Sequence, residues 1–294
     1  MPDMPAFKTI ALIGRHNAPD IGGAVLAMAD FLKGEGCAVM VERHTAASCG
    51  LSEPPEHADY AEIGARADLA VVLGGDGSML TAARALAARR VPLVGVNQGR
   101  LGFLTDIAAR EMTETMGEIL AGRYSVEERT MLAAEVRRGD TVAFSTLALN
   151  DAVVNKGAVG RLIEFHVHID GEFVYDLRSD GLIVATPTGS TAYALSSNGP
   201  ILEPRVPAFA LVPISPHTLS NRPIAISDRS VIEITLRHST DARVHFDGQP
   251  QFDLHDGDRV AIRRAAESTI LVHPPGYSYY GMLRQKLHWA GGAL

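Results

Sequence analysis

A chain of 294 residues is long for one hydrophobic core, so two lobes are expected. Hydrophobic residues at 46% and charged residues at 21% fit a folded protein and exclude a disordered one. A net charge of −7 argues against general nucleic-acid binding, which needs a concentrated basic surface. Phe7–Gly14 is a short apolar run ending in glycine, as in a buried parallel strand. Ile21–Lys33 spaces Ile21, Ala24, Val25, Met28, Phe31 and Leu32 as a helix does, and Gly34 and Gly36 stop it. Cys37–Val41 reads as a strand and Ala46–Pro55 as a loop. A buried strand follows at Asp68–Leu73, then an alanine-rich helix at Ser78–Arg90. Val91–Val96 is the next strand and Met112–Ala121 the next helix. Strands alternating with helices imply βαβ units and a parallel sheet.

The pattern changes near residue 123. Arg129–Arg138 and Thr141–Asn155 read as strands. Glu164–Asp170 and Glu172–Leu177 alternate around Asp170-Gly171, the signal of a tight hairpin whose central residues need positive φ. Arg243–Phe246 and Gln249–Leu254 repeat the device around Asp247-Gly248. Val231–Leu236, Asp258–Ile262 and Thr269–Val272 continue the short strands, and Tyr277–Trp289 reads as a last helix. The expected division is an α/β lobe over 1–123, a β-rich, largely antiparallel lobe over 124–276, and a C-terminal helix over 277–294 that packs back on the first lobe. No run of 18 apolar residues occurs, so no membrane span is expected. The start, MPDMPAFKTIALIGRH, carries acid where a signal peptide carries base. With only Cys37 and Cys49, no disulfide framework or metal-spaced cysteine pair is expected, and a reducing cytoplasm is the simplest reading. Lys8, Lys33, Lys156 and Lys286 are the four lysines, and no function is read from them.

Four segments carry chemistry. Gly74-Gly75-Asp76-Gly77 follows a buried strand, and glycines there let backbone amides approach a phosphate closely. Asp76 is out of place beside phosphate unless it holds a metal, accepts a hydroxyl proton, or simply caps the helix. No G-x-G-x-x-G follows the first strand and no G-x-x-x-x-G-K-[ST] occurs, which sets aside ordinary dehydrogenases and P-loop enzymes. Asn97–Asp106, NQGRLGFLTD, ends the next strand, and parallel strands end on the side where ligands bind. Its Phe103 either faces an adenine or sits in the core. Asn150-Asp151 offers amide donors and a carboxylate, a set that suits ribose hydroxyls or a plain turn. In Asp180–Pro200 a strand runs into Thr186-Pro187-Thr188-Gly189-Ser190-Thr191-Ala192-Tyr193. Five of those eight residues bear hydroxyls, too many to bury unpaired, so they belong to ordered turns, to a ligand, or to both.

GGDGSML, NQGRLGFLTD, Asn150-Asp151, DGLIVATPTGSTAY and PISPHTLSNRP, with Asp247-Gly248-Gln249 and the ending YSYYGMLRQKLHW, resemble the successive signatures of bacterial NAD kinases, from about Phe7 to Trp289. The resemblance implies a Rossmann-like, phosphofructokinase-like α/β lobe and a layered β lobe, with the substrate site between them completed by another subunit. It implies ATP-dependent phosphorylation of the adenosine ribose 2′-hydroxyl of NAD, with Asp76 as proton acceptor. Gly75 and Gly77 would cradle phosphates. Asp76, Gly77, Phe103, Asn150, Asp151, Asp180, Thr188, Thr191, Ala192, Tyr193 and Ser196 match dinucleotide contacts, with Ala194 and Leu195 beside them. Arg161, Arg178, His245 and Gln249 match more variable ones. For both arginines the bland alternative is a solvated charge, and for His245 a solvent-facing strand position. Mg²⁺ would arrive with ATP, no all-protein metal site being visible, and the active unit would be a homodimer or homotetramer in the cytoplasm. A lipid or sugar kinase sharing the glycine-aspartate loop, or a non-catalytic NAD sensor, are the alternatives. An intact Asp76 speaks against the sensor.

Overall fold

The computed structural model describes residues 7–15, 18, 21–50, 55–99, 102–157, 162–217, 221–238 and 241–289. Arg161, Arg100-Leu101 of the second motif and Thr218–Ser220 of PISPHTLSNRP lie outside them. The chain forms two compact units, 1–128 with 269–294, and 129–268. The division differs from the expected one in two places. The first unit runs to 128 rather than 123, and residues 269–276 belong with it, together with the C-terminal helix.

The first unit alternates strand and helix: β1 (Thr9–Gly14), α1 (Gly22–Gly34), β2 (Ala38–Glu42), α2 (Arg43–Ser48), β3 (Glu56–Ala58), α3 (Tyr60–Arg66), β4 (Leu69–Gly74), α4 (Asp76–Leu86), β5 (Leu93–Asn97), β6 (Ile107–Ala108) and α5 (Met112–Leu120). The strands β5-β4-β1-β2-β3 lie side by side and pair in parallel. Sandwiched strands of this kind read as continuous apolar runs, and all six residues of β4 are buried. Helix α1 meets the sheet with Val25, Met28, Ala29 and Leu32, the one-sided spacing of an amphipathic helix.

Part of the expected loop at Ala46–Pro55 is helical instead. Glu42 accepts from the His44 and Thr45 backbone N–H groups, supplying the cap that starts α2. Helix α3 starts with a reciprocal capping box between Asp59 and Glu62.

The second unit follows with β7 (Ser125–Arg138, which begins in the first unit), β8 (Thr141–Ala148), β9 (Asp151–Lys156), β10 (Ile163–Ile169), β11 (Glu172–Ser179), β12 (Gly181–Ala185), the single turn α6 (Tyr193–Ser196), β13 (Ala208–Ile214), β14 (Ile224–Ser227), β15 (Ile232–Arg237), β16 (Ala242–Phe246), β17 (Gln251–Leu254) and β18 (Arg259–His273). Helix α7 (Tyr279–Leu287) closes the chain in the first unit. One antiparallel sheet has the order β14-β13-β12-β9-β16-β17. In the other, β11, β10, β15 and the start of β18 pair antiparallel, and β7 links β18 to β8. Leu182, Val184, Phe209 and Phe246 of the first sheet share a core with Phe165, Val167, Ile234 and Val260 of the second. Both expected hairpin turns hold positive φ, 53° and 81° at Asp170-Gly171 and 53° and 76° at Asp247-Gly248.

Two strand expectations are corrected. Thr141–Asn155 is two strands in different sheets, broken at Leu149-Asn150. The separate strands expected at Asp258–Ile262 and Thr269–Val272 are one strand of 15 residues, whose far end pairs in parallel with β5. No helix among the described residues is long and apolar enough to cross a membrane.

Candidate active site

In the first unit the register sets Gly74 of β4 beside Asn97 of β5, so two motifs leave adjacent strand ends. This is the carboxyl edge of a parallel sheet, the usual ligand side of such folds. Gly75 is the N-cap of α4 and Asp76 its first residue. The carboxylate does not cap its own helix. Its Oδ2 accepts from Phe103 N–H and its Oδ1 from Leu104 N–H, both at 2.9 Å. A carboxylate has about four acceptor positions, so two N–H donors leave room for a hydroxyl. Gly102 is demanded by this arrangement, since a Cβ there would fall on Asp76 Oδ1. At Gly75 and Gly77, by contrast, nothing among the described residues lies within 4 Å of where a Cβ would stand.

The loop that serves Asp76 is itself tied down. Asn97 is buried, donates its side-chain amide to Thr105 Oγ1 at 2.9 Å, and accepts from Gly99 N–H. Thr105 Oγ1 also accepts from Gly102 N–H at 3.0 Å. Phe103 is half-buried and takes part through its backbone. Neither of its two sequence readings, adenine face or core residue, describes that role.

In the second unit the hydroxyl-rich turn is mostly self-satisfied. Thr186 and Ser190 are fully buried. Thr186 Oγ1 donates to the Leu149 carbonyl at 2.5 Å and accepts from Gly189 N–H. Ser190 Oγ donates to the Pro187 carbonyl and accepts from Leu202 N–H. Thr191 donates to the Thr188 carbonyl, and Thr188 Oγ1 accepts from Arg129 at 3.2 Å. Tyr193 is the exception, an aromatic ring 43% exposed. Ala192 and Leu195 are half-buried, Ala194 is buried and Ser196 exposed.

The same unit brings Asn150 and Asp151 to that turn. The Asn150 carbonyl accepts from Thr186 N–H, and a Cβ on Gly189 would collide with it. Asn150 Oδ1 is buried and has no hydrogen-bond partner among the described residues. Asp151 is 5% exposed. Burial, and then the nearby Asp247 carboxylate, push its pKa up to about 7.

Asp180 forms an ion pair with Lys156 at 2.7 Å. Arg178 is exposed and lies 3.4 Å from Glu164. Burial, with Arg243 adding to it, holds the half-buried His245 below the ordinary imidazole pKa. Gln249 is exposed, with its N–H donating to the Phe246 carbonyl. Arg161 lies outside the described residues.

The placement of two charged residues beside the candidate site escaped sequence reasoning. Asp247 is more than a turn residue: its carboxylate accepts from the N–H groups of Leu149, Asn150 and Asp151 at 3.0, 2.7 and 3.3 Å. No local signal ties residues nearly a hundred positions apart. Lys286 on α7 is half-buried and its pKa is lowered by burial, with Asp76 opposing that shift. A lysine in the otherwise arginine-dominated chain was the only sequence hint. Among the described residues no group of three or more His, Cys, Asp or Glu stands ready to hold a metal ion.

Residues 10–124 match the ATP-NAD kinase N-terminal domain and residues 149–274 the C-terminal domain. The chain is 57% identical over 284 residues to an NAD kinase of Aromatoleum aromaticum, covering 97% of this chain and 95% of that one. It is 55% identical to an NAD kinase of an Azoarcus species, covering 97% of each. Among solved structures, yeast NADH kinase complexed with NADH superposes with a TM-score of 0.86 at 27% identity, over 98% of this chain and 88% of that one. An NAD kinase from Archaeoglobus fulgidus in complex with ATP gives 0.74 at 26% identity, over 95% and 98%. With both domains matched and such identity along nearly its whole length, the chain belongs to the NAD kinase family of enzymes.

Proposed function

We propose that this enzyme transfers the γ-phosphoryl group of ATP to the adenosine ribose 2′-hydroxyl of NAD, with Asp76 as the group that orients the hydroxyl and takes its proton. The observation that carries this reading is the Asp76 carboxylate, gripped by two amides yet with acceptor capacity left over. It stands between glycines at which packing alone demands no glycine. Bare backbone at a helix start suits phosphate, because the amides can approach it closely.

The hydroxyl oxygen attacks the γ-phosphorus, the bond to the leaving ADP oxygen breaks, and the hydroxyl proton passes to Asp76. Such a transfer rests on positioning and charge neutralisation more than on covalent chemistry. Mg²⁺, carried in on the ATP phosphates, supplies neutralising charge there. In the second unit, Asn150 and Asp151 take ribose hydroxyls and Tyr193 offers a ring face to a base. Arg161, Arg178, His245 and Gln249 stay in the reading as outer contacts. We further propose a homodimer or homotetramer working in the cytoplasm. The oligomer reading predicts activity that falls on dilution below the dissociation range, and light scattering of a fully active 31.4 kDa monomer would sink it.

The deciding experiment for the reaction is incubation with NAD, ATP and Mg²⁺, with NADP detected by an NADP-specific dehydrogenase. Parallel ³²P transfer onto diacylglycerol distinguishes a lipid kinase. Label on the lipid and none on NAD would overturn the reading.

A further inference from the structure

The end of β18 sets one histidine between two carboxylates. His273 is 4% exposed. Its Nδ1 lies 2.5 Å from Asp106 Oδ2 and its Nε2 3.0 Å from Glu127 Oε2. Its ring stacks flat on Tyr277, with centroids 3.7 Å apart and planes 6° from parallel. A neutral imidazole has one N–H and one lone pair. In that form one nitrogen would turn its lone pair toward a buried carboxylate, whereas the imidazolium donates to both. Burial pulls the His273 pKa down, but Asp106 and Glu127 outweigh it and hold the pKa above the ordinary imidazole value.

Asp106 is the last residue of the loop that presents amides to Asp76. Within five residues the loop is fastened three ways. Gly102 N–H goes to Thr105 Oγ1, Phe103 and Leu104 N–H go to the Asp76 carboxylate, and Asp106 goes to His273. The opposite wall allows no slack, because a Cβ on Gly95 would collide with the Leu104 carbonyl. We propose that His273, as an imidazolium, is a positioning residue for phosphoryl transfer: it anchors Asp106 so that the Phe103 and Leu104 amides stay aimed at Asp76. This rests on the reading of Asp76 given above.

The groups facing His273 are Asp106 from the loop, Glu127 from β7 and Tyr277 from the segment after β18. Asp106 also borders a cavity of about 580 Å³ lined in part by Glu111, Glu114 and Glu118. Deprotonation therefore releases the clamp as pH rises through the raised His273 pKa.

The test is the kcat–pH profile of wild type and His273→Gln. Wild type is expected to lose kcat on the alkaline side. The variant should start about tenfold lower at pH 7, the scale of a sub-ångström misalignment, with KM for NAD and ATP within about twofold and the alkaline limb gone. A variant with wild-type kcat and an unchanged alkaline limb overturns the proposal. Asp76→Asn separates the two readings. If it keeps full turnover, the role of Asp76 falls; if it is dead while His273→Gln behaves as wild type, only the positioning role falls. Should His273→Gln not fold, the ring ¹⁵N shifts of the wild-type enzyme decide. Two protonated nitrogens at pH 7.5 support the clamp, and a neutral ring overturns it.

Discussion

The turn after β4 and the turn after β12 both leave buried parallel or antiparallel strands, and both are rich in small polar residues, yet they dispose of their polar atoms differently. After β12, the hydroxyls of Thr186, Ser190 and Thr191 go to carbonyls and Thr188 accepts from Arg129. That turn is rigid by its own bonding, and what it offers outward is the Tyr193 ring. After β4 the outward offer is bare backbone at Gly75 and Gly77 and one carboxylate, which a second loop holds in place. The contrast teaches that hydroxyl density marks a stiff scaffold here, and that the position we propose as reactive is the one whose stiffness is borrowed from elsewhere in the fold. Each substitution below either breaks that division of labour or sharpens it.

The largest effect is expected at Asp76. Asp76→Asn keeps an acceptor for only one of the two backbone N–H groups, sets its own NH2 against the other, and removes the proton acceptor, so turnover should fall at least about a hundredfold, the scale of general-base loss, while NAD still binds. Retention of more than roughly half the wild-type turnover would show that the carboxylate only orients the loop.

Asp151→Ala should weaken NAD binding more than ATP binding. Deleting one partner of a buried hydrogen bond costs about 1–3 kcal/mol, or roughly fivefold to a hundredfold in affinity. Calorimetric titration with each ligand reads the difference, and equal losses for both would point to a folding defect rather than a ribose contact.

Ser190→Ala is the matching test on the scaffold side. Its hydroxyl donates to one carbonyl and accepts from Leu202 N–H inside a fully buried turn. Removing it should lower unfolding stability by about 1–3 kcal/mol, with kcat and both KM values changed less than about twofold. Denaturant melts and steady-state kinetics on one preparation suffice. A large kinetic loss at unchanged stability would mean that the hydroxyl serves a ligand after all.

Much of the frame was legible in the sequence, for reasons specific to each segment. Leu69–Leu73 announced a buried strand because both of its faces are covered. Asp170-Gly171 and Asp247-Gly248 announced hairpins because their φ angles exclude most residues. Legibility failed where the cause was distant. Leu149-Asn150 breaks an apolar stretch because Asp247, far along the chain, gathers the amides there. Residues 263–268 look like a gap between strands, but the ladder carries them through as one strand. The clamp on Asp106 needs His273, 167 residues on, and Glu127, neither of which carries a local signal of that contact. GGDG marked Asp76 as the candidate carboxylate, but not that its support comes from the amides of NQGRLGFLTD.

The smallest effect separates Asp151 from its turn by pH. Its pKa is raised by burial and then by Asp247, from an ordinary 3.8 to about 7 in the folded chain. Below pH 3.8 both folded and unfolded chains carry the proton, and Asp151 contributes no pH dependence. Between that value and about 7 the unfolded carboxyl has ionised while the folded one still holds its proton. Folded protein then binds more protons than unfolded, so stability must fall as pH rises through this window. The slope from one such group is at most about 1.4 kcal/mol per pH unit, and it levels off above the folded pKa, where both states are ionised. Asp151→Asn carries no titrating group and should lack this slope, so the variant should gain on the wild type from pH 5 to about 7 and then hold level. His273 changes stability with the same sign, since its pKa is also raised, but it is common to both proteins and cancels in the difference. Urea melts of the pair at half-unit pH steps measure that difference directly. Parallel curves would show that Asp151 is ionised throughout, and the neighbouring Asp247 carboxylate would then have to be screened by the three amides it accepts from.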